Sequence, residues 1–252
     1  MHNYHILSFI LRVNVAVDGK NAWDYRKEKV FMFLKSGHFD MIGFQEVTPS
    51  MYQELKAHLV EYQFVGIGRD KDQEAIPIFF KKNKYKVLDS NTLWLSNTPH
   101  VESRVEGSHF PRIVTYVVLE DENQNRIAYF NTHLDYSSED VCEMQAIILS
   151  KIMEDISFHY KANAVLSGDF NQLPESKAIK YLSTKYQNVF SKKERLGLTF
   201  HNFSNQTEGK PIDYFFYSKD LEEVSFQIIH HQTQDFFLSD HYPLIAEFKI
   251  KK

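Results

Sequence analysis

The segment AVLSGDFNQLPES, residues 164–176, ends an apolar run in Asp169 and Asn171, and LSDHYPLIAEF, residues 238–248, delivers Asp240 and His241. On an alternating strand Asp169 and Asn171 share one side while Phe170 turns inward, and Gly168 leaves space for a close backbone or ligand. Two acids, an amide and an imidazole are the parts of a phosphoester-cleaving site. They are equally the residues of ordinary turns, since an Asx turn often ends a strand.

Three further segments offer similar groups. In RIAYFNTHLD, residues 126–135, a period of two puts Ala128, Phe130, Thr132 and Leu134 on one face and Tyr129, Asn131, His133 and Asp135 on the other. That polar face presents an amide, an imidazole and a carboxylate together, or it is simply solvated. Glu46 closes MIGFQEV, where an acid either meets solvent or helps start the next helix. Asp213 precedes the very aromatic strand of PIDYFFYS, and a buried acid there needs a partner such as a histidine.

The elements that must carry these residues follow from the hydrophobic pattern. ILSFILRVNVAV reads as a buried first strand rather than a signal peptide: Arg12 and Asn14 interrupt it, no Lys or Arg precedes it and no small-residue cleavage site follows. A helix is expected over Trp23 to Ser36 with Val30, Phe33 and Leu34 on its apolar side, and Thr48–Pro49 starts a second. A long helix runs from about Ser138 to Phe158, with Met144, Ile147, Ile148 and Ile152 at helical spacing. A short one covers SKAIKYLSTKY. Strands are expected in FDMIGFQEV, YQFVGIG, IPIFFKK, YKVLDSNTLWLS, IVTYVVLE, RIAYFNTHLD, NAVLSGDFN, LTFHNF, PIDYFFYS, EVSFQIIHH and HYPLIAEFKI. Strands outnumber helices without strict alternation, which predicts an α+β layered arrangement of mixed or antiparallel sheets with helices outside.

Composition sets the frame. The chain has 252 residues, 43% of them hydrophobic and 15% aromatic, which fits one large α/β domain or two small ones, and a single domain over residues 1–252 is expected. It shows no repeat, linker or low-complexity tract. The formal net charge of -4 disfavours a surface that grips long nucleic acid, which needs clustered Lys and Arg. No apolar run approaches the length of about 20 residues that spans a bilayer. With Cys142 the only cysteine, no intramolecular disulfide forms, and a soluble, cytoplasmic protein is expected.

Taken in order, QE, NTHLD, GDFN, IDY and SDH resemble the endonuclease/exonuclease/phosphatase family, the deoxyribonuclease I-like proteins, over nearly the whole chain. DGKNAW, NTLWLSNTP and FPRIVTYV further resemble its compact bacterial branch. The resemblance implies a four-layer α/β/β/α sandwich, with two mixed sheets face to face and helices outside, and a need for Mg²⁺ or Mn²⁺. It implies Glu46 as the principal metal carboxylate, with Asp240 able to reach a metal. It makes Asp169 the acid that orients and deprotonates the attacking water, and His133 and Asn171 donors to the phosphate. His241 then contacts the scissile phosphate and Asp213 orients it. Arg112 and Asn131 are the expected substrate-binding residues; Arg112 suits a bidentate hold on a phosphate oxygen, or packing at the core edge.

The implied activity is in-line attack of water on a phosphodiester or phosphomonoester of a small molecule or short nucleic acid. Tyr136, Trp94 and His109 suit a pocket wall as well as a core. One departure stands out. The family's first strand usually reads F-N, with the Asn at the metal site, and here SFILRV puts Ile10 in its place. Asn14, four positions on, is roughly 13 Å away along an extended strand. Ile10 therefore supports a second reading, a non-catalytic module that binds a phosphate ligand with a damaged metal site.

Overall fold

The computed structural model describes residues 3–191, 197–230 and 236–251. Among them, two six-stranded sheets form. Across the first lie β11 (Leu221–Ile228), β12 (Leu244–Ile250), β1 (Asn3–Ile10), β2 (Met41–Gln45), β4 (Ile78–Lys81) and β3 (Tyr62–Val65). Across the second lie β5 (Lys86–Trp94), β6 (Ile113–Glu120), β7 (Arg126–His133), β8 (Asn163–Asp169), β10 (Asp213–Tyr217) and β9 (Gln187–Asn188). Each sheet is mixed because it holds one parallel pair, β1 with β2 and β7 with β8, among antiparallel neighbours.

A parallel pair needs a crossover, and a helix supplies each one. α1 (Trp23–Ser36) links β1 to β2, and α3 (Glu139–Tyr160) links β7 to β8. α2 (Pro49–His58) lies beside α1, and α4 (Lys177–Lys185) packs on α3. Leu7, Phe9, Ile42, Phe44 and Phe79 face α1 and α2, where Trp23, Phe31, Leu34, Met51 and Leu55 cover them. Tyr4, Ile6, Met41 and Phe80 face the second sheet instead. The result is the sandwich with outer helices that the sequence resemblance implies. No helix among the described residues is long and apolar enough to cross a membrane.

The sheets touch where side chains are small. A Cβ on Gly43 of β2 would come 2.4 Å from the Tyr129 hydroxyl of β7. Next to it Gln45 donates to Asn131 Oδ1 at 2.6 Å, and Asn131 Nδ2 donates to the Phe44, Ile76 and Pro77 carbonyls. Both faces of β7 are thus buried: its polar face looks into the first sheet, and of that face only His133, the last residue of the strand, lines the open cavity.

Some elements differ from expectation. On α3 the buried stripe is Cys142, Ala146, Leu149 and Met153, with Met144 46% exposed and Ile147, Ile148 and Ile152 at the margin. A helix seated on both a sheet and α4 chooses its face by contact, and an apolar surplus leaves two stripes for the pattern to suggest. On α1, Phe31 takes the buried place and Phe33 is half-buried. LTFHNF is a loop: the Thr199 hydroxyl accepts from the Ile212 and Asp213 amides, and His201 and Asn202 both donate backbone N–H to the Asp240 carbonyl. The last strand begins at Leu244, after Pro243, so Asp240 and His241 precede it. His231, at the end of the expected EVSFQIIHH strand, lies outside the described residues.

Candidate active site

Backbone register assembles half of the site. His133 at the end of β7 pairs with Asp169 at the end of β8, and Asp169 pairs with Asp213 at the start of β10. Register partners point to the same face, so an imidazole and two carboxylates stand in a row across three strands. Gly168, at φ 150°, makes this possible, since a Cβ there would lie 1.9 Å from the Thr132 carbonyl oxygen. Beyond the row, His241 Nδ1 meets Asp213 Oδ2 at 2.9 Å.

The chain then turns sharply. Asn171 adopts φ 51° and its amide N–H donates to Asp169 Oδ1 at 2.7 Å, so the Asx turn forms as part of the site. Asn171 Nδ2 donates to the Leu134 carbonyl at 3.0 Å and lies 3.2 Å from His133 Nε2. Opposite, Arg12 after β1 and Glu46 after β2 take φ 61° and 57°. Non-glycine residues seldom hold that conformation, and a run of them at strand ends around one cleft marks backbone bent to aim side chains.

The Glu46, Arg112, His133, Asp169, Asn171, Asp240 and His241 side chains line one cavity of about 390 Å³. Asp213 stands behind His241. Asn131 stands apart: fully buried and bonded across the sheets, it has no face toward the cavity, so direct substrate contact is not open to it. The Asn131 side chain ties the sheets together because the face it shares with His133 meets protein, not water.

Other residues on the wall were not anticipated: Arg12, Arg69, Glu74, Phe110, Phe200 and Asn202. Arg12 Nε lies 2.9 Å from Asp18 and 3.7 Å from Asp240, with its Nη1 4.0 Å from Glu46. Arg69 Nη1 donates to Glu74 at 2.8 Å, and Trp94 Nε1 donates to the Arg69 carbonyl. Tyr136 lines the cavity and packs on His109 with ring centroids 4.8 Å apart, whereas Trp94 only supports Arg69.

The protonation pattern is uneven. Burial, then repulsion from Asp213, pushes the Asp169 carboxyl well above the usual range. Burial, then Asp240 and Glu74, raises Glu46. Burial alone would lower His241, but the Asp213 charge and hydrogen bond outweigh it and raise the imidazole to about 10. His133 goes the other way, lowered by burial and by Arg112 and Arg69, so its contact with Asp169 at 3.5 Å is not an ion pair. Carboxylates held above their ordinary range by burial and each other are short of positive charge. Asp169, Asp213 and His241 offer ligand atoms within 4.8 Å of one another, a set that would fit a divalent cation only with His241 deprotonated.

Comparison with known proteins gives the fold and the family. The chain shares its fold with an endonuclease/exonuclease/phosphatase from Bacteroides vulgatus, at 30% identity and TM-score 0.91 over 100% of both chains. A mannosyl-6-phosphatase from Bacteroides thetaiotaomicron has the same fold at 22% identity and TM-score 0.90, covering 98% of this chain and 100% of its own. The 3'-5'-exoribonuclease subunit of the CCR4-Not complex from Mycosarcoma maydis is 23% identical over 92% of this chain and 47% of its own length. The chain spans about half the length of the curated relatives it matches. The model of the endonuclease/exonuclease/phosphatase family matches residues 13–241, a span that holds every cleft residue except Arg12, and the chain belongs to that family.

Proposed function

We propose that the protein is a phosphoric ester hydrolase that works with Mg²⁺ or Mn²⁺. One observation carries the proposal: His133, Asp169 and His241, the last backed by Asp213, line a single cavity with Glu46 and Asp240. Glu46 and Asp240 would hold the cation, beside or in place of the Arg12 guanidinium that now lies between them, with the Asp169 carboxylate lining the same cavity. When bound, the ion neutralises charge on the phosphate oxygens.

The chain's own groups do the rest. Asp169, with its raised proton affinity, takes a proton from a water aimed at phosphorus. Asn171 and the cationic His241 donate to phosphate oxygens as charge builds on them, and Asp213 fixes the His241 ring. The water oxygen joins phosphorus, the ester bond breaks, and the departing oxygen takes a proton from solvent. Arg112 grips a phosphate oxygen. The substrate is a small phosphoester or a short nucleic acid, consistent with a net charge of -4. Residues 1–252 act as one domain in this reading. The lone, buried Cys142 supports a reducing, cytoplasmic setting.

Hydrolysis of p-nitrophenyl phosphate and bis(p-nitrophenyl) phosphate, with and without Mg²⁺ or Mn²⁺, tests this. Turnover should require the metal, and Asp169→Ala should lower it by about 10²–10⁴-fold. Activity unchanged in Asp169→Ala would end the proposal.

A further inference from the structure

Arg69 and Arg112 meet at the wall next to His133, each paired with a carboxylate, Glu74 and Asp135, but neither with all of its N–H groups engaged among the described residues. Arg112 is only 3% exposed, yet its one hydrogen bond to the described residues is from Nε to Asp135 Oδ2, at 3.3 Å. Asp135 already accepts from Ser108, from the Phe110 amide and from the Ser137 amide. The two terminal nitrogens of Arg112 are left for the cavity it lines. Arg69, 8% exposed, uses Nη1 on Glu74 and a long contact from Nε to Asp70, which leaves its Nη2 without a hydrogen bond among the described residues. Both guanidinia lie against Phe110, at 4.3 and 5.4 Å from its ring centre, so the ring holds two like charges side by side.

We propose that this arginine pair selects a terminal phosphate, making the protein a phosphomonoesterase for small substrates rather than a diesterase. The inference rests on the hydrolase reading above and narrows its substrate class. Two forked donors with free N–H groups in a dry wall suit an anion with more than one charged oxygen. A diester carries one negative charge on two free oxygens. A terminal phosphate loses its second proton near pH 6, by order of magnitude, and then offers close to two charges on three oxygens. Repulsion between the guanidinia, added to burial, already weakens the hold of Arg112 on its proton, and a dianion relieves both. The cavity of about 390 Å³ agrees, because it is small; ligand sites for single small molecules run from about 300 to 1,000 Å³.

The test compares kcat/KM for p-nitrophenyl phosphate and bis(p-nitrophenyl) phosphate, with Mn²⁺, in the native protein, Arg69→Gln, Arg112→Gln and Arg112→Lys. The native protein should prefer the monoester. Each Gln variant should lose at least about tenfold more on the monoester than on the diester, and Arg112→Lys should recover part of that loss. A native preference for the diester, or equal losses on both esters, overturns the inference while leaving the hydrolase standing. If the native protein turns over neither ester, the hydrolase reading fails instead, and thermal shifts with inorganic phosphate and dimethyl phosphate still decide on the pair. Stabilisation by phosphate alone, lost in Arg112→Gln, upholds the pair's selection of a terminal phosphate; equal shifts for both anions, or none, overturn it.

Discussion

The two crossover units, β1–α1–β2 and β7–α3–β8, are built alike and end differently. Each sets two parallel strands side by side, but only the second delivers its last register pair to the cleft. In the second unit that pair is His133 and Asp169, two groups that can exchange protons and hydrogen bonds. In the first it is Ile10 and Gln45, and Gln45 is spent on Asn131 across the sheets. The first unit's chemistry is therefore carried one step later, by Arg12 and Glu46, on residues bent into the left-handed region. One unit aims side chains by register, and the other aims them by strained turns. Register is held by a ladder of backbone hydrogen bonds; turns need something else to hold them.

The register-built half should respond most to loss of charge. Asp213→Asn keeps the shape and removes what holds the His241 proton, and turnover should fall by about 10²–10³-fold. A loss below threefold would show that the row is scaffold only. The metal-free protein provides a second readout. His241 has its folded-state affinity raised from 6.5 to about 10, so the stability it contributes is present below pH 6.5 and lost as pH rises toward 10. The native melting temperature should drop across that window, and in Asp213→Asn the drop should flatten.

The turn-built half should respond most to loss of its clamp, which is Arg26. This side chain is 1% exposed and has no carboxylate within ion-pair reach among the described residues. It donates instead to the Asn21, Leu11 and Arg12 carbonyls, at 2.5, 2.9 and 3.5 Å, and to the Leu238 carbonyl. Those carbonyls belong to the turn after β1, the short 3-10 helix Ala16–Asn21 that follows, and the segment leading to Asp240. Replacing Arg26 with Met strands the carbonyls and should cost about 3 kcal/mol in denaturant unfolding. Below the new melting point metal affinity should also weaken, whereas Arg26→Lys should return stability without full affinity. Unchanged metal affinity in both variants would make Arg26 a packing residue alone.

The same contrast decides what was legible in the sequence. Asp169, Asn171, His133 and Glu46 stand out because a polar residue ending an apolar strand breaks a pattern. Asn131 shares the His133 face, and period two tells which residues share a face without telling whether water or a second sheet meets it. Arg69 and Glu74 sit in GRDKDQE, where charges of both signs read as a solvated loop. Nothing local shows that Arg69 turns inward over Phe110, 41 residues on by number (110 less 69). The expected strand at LTFHNF failed for a related reason: its backbone donors serve the Asp240 carbonyl, a partner far along the chain.

The smallest effect should come from restoring the amide that the first unit lacks. Ile10 is 2% exposed and, by alternation, lies on the face of β1 that carries Tyr4 and Ile6, toward the second sheet. Ile10→Asn removes apolar burial and should lower metal-free stability by about 1–2 kcal/mol. The new side chain would stand one residue pair back from Glu46, since Ile10 pairs with Gln45. Mn²⁺ should then stabilise the variant more than the native protein, with affinity tighter by about tenfold, or about 1.4 kcal/mol. Titrating Mn²⁺ against melting temperature in both proteins measures this without any substrate. If the native protein gains nothing from Mn²⁺ while Ile10→Asn does, the chain is the phosphate-binding module with a damaged metal site. If both gain equally, Glu46 and Asp240 already serve without the amide, and its absence is no defect.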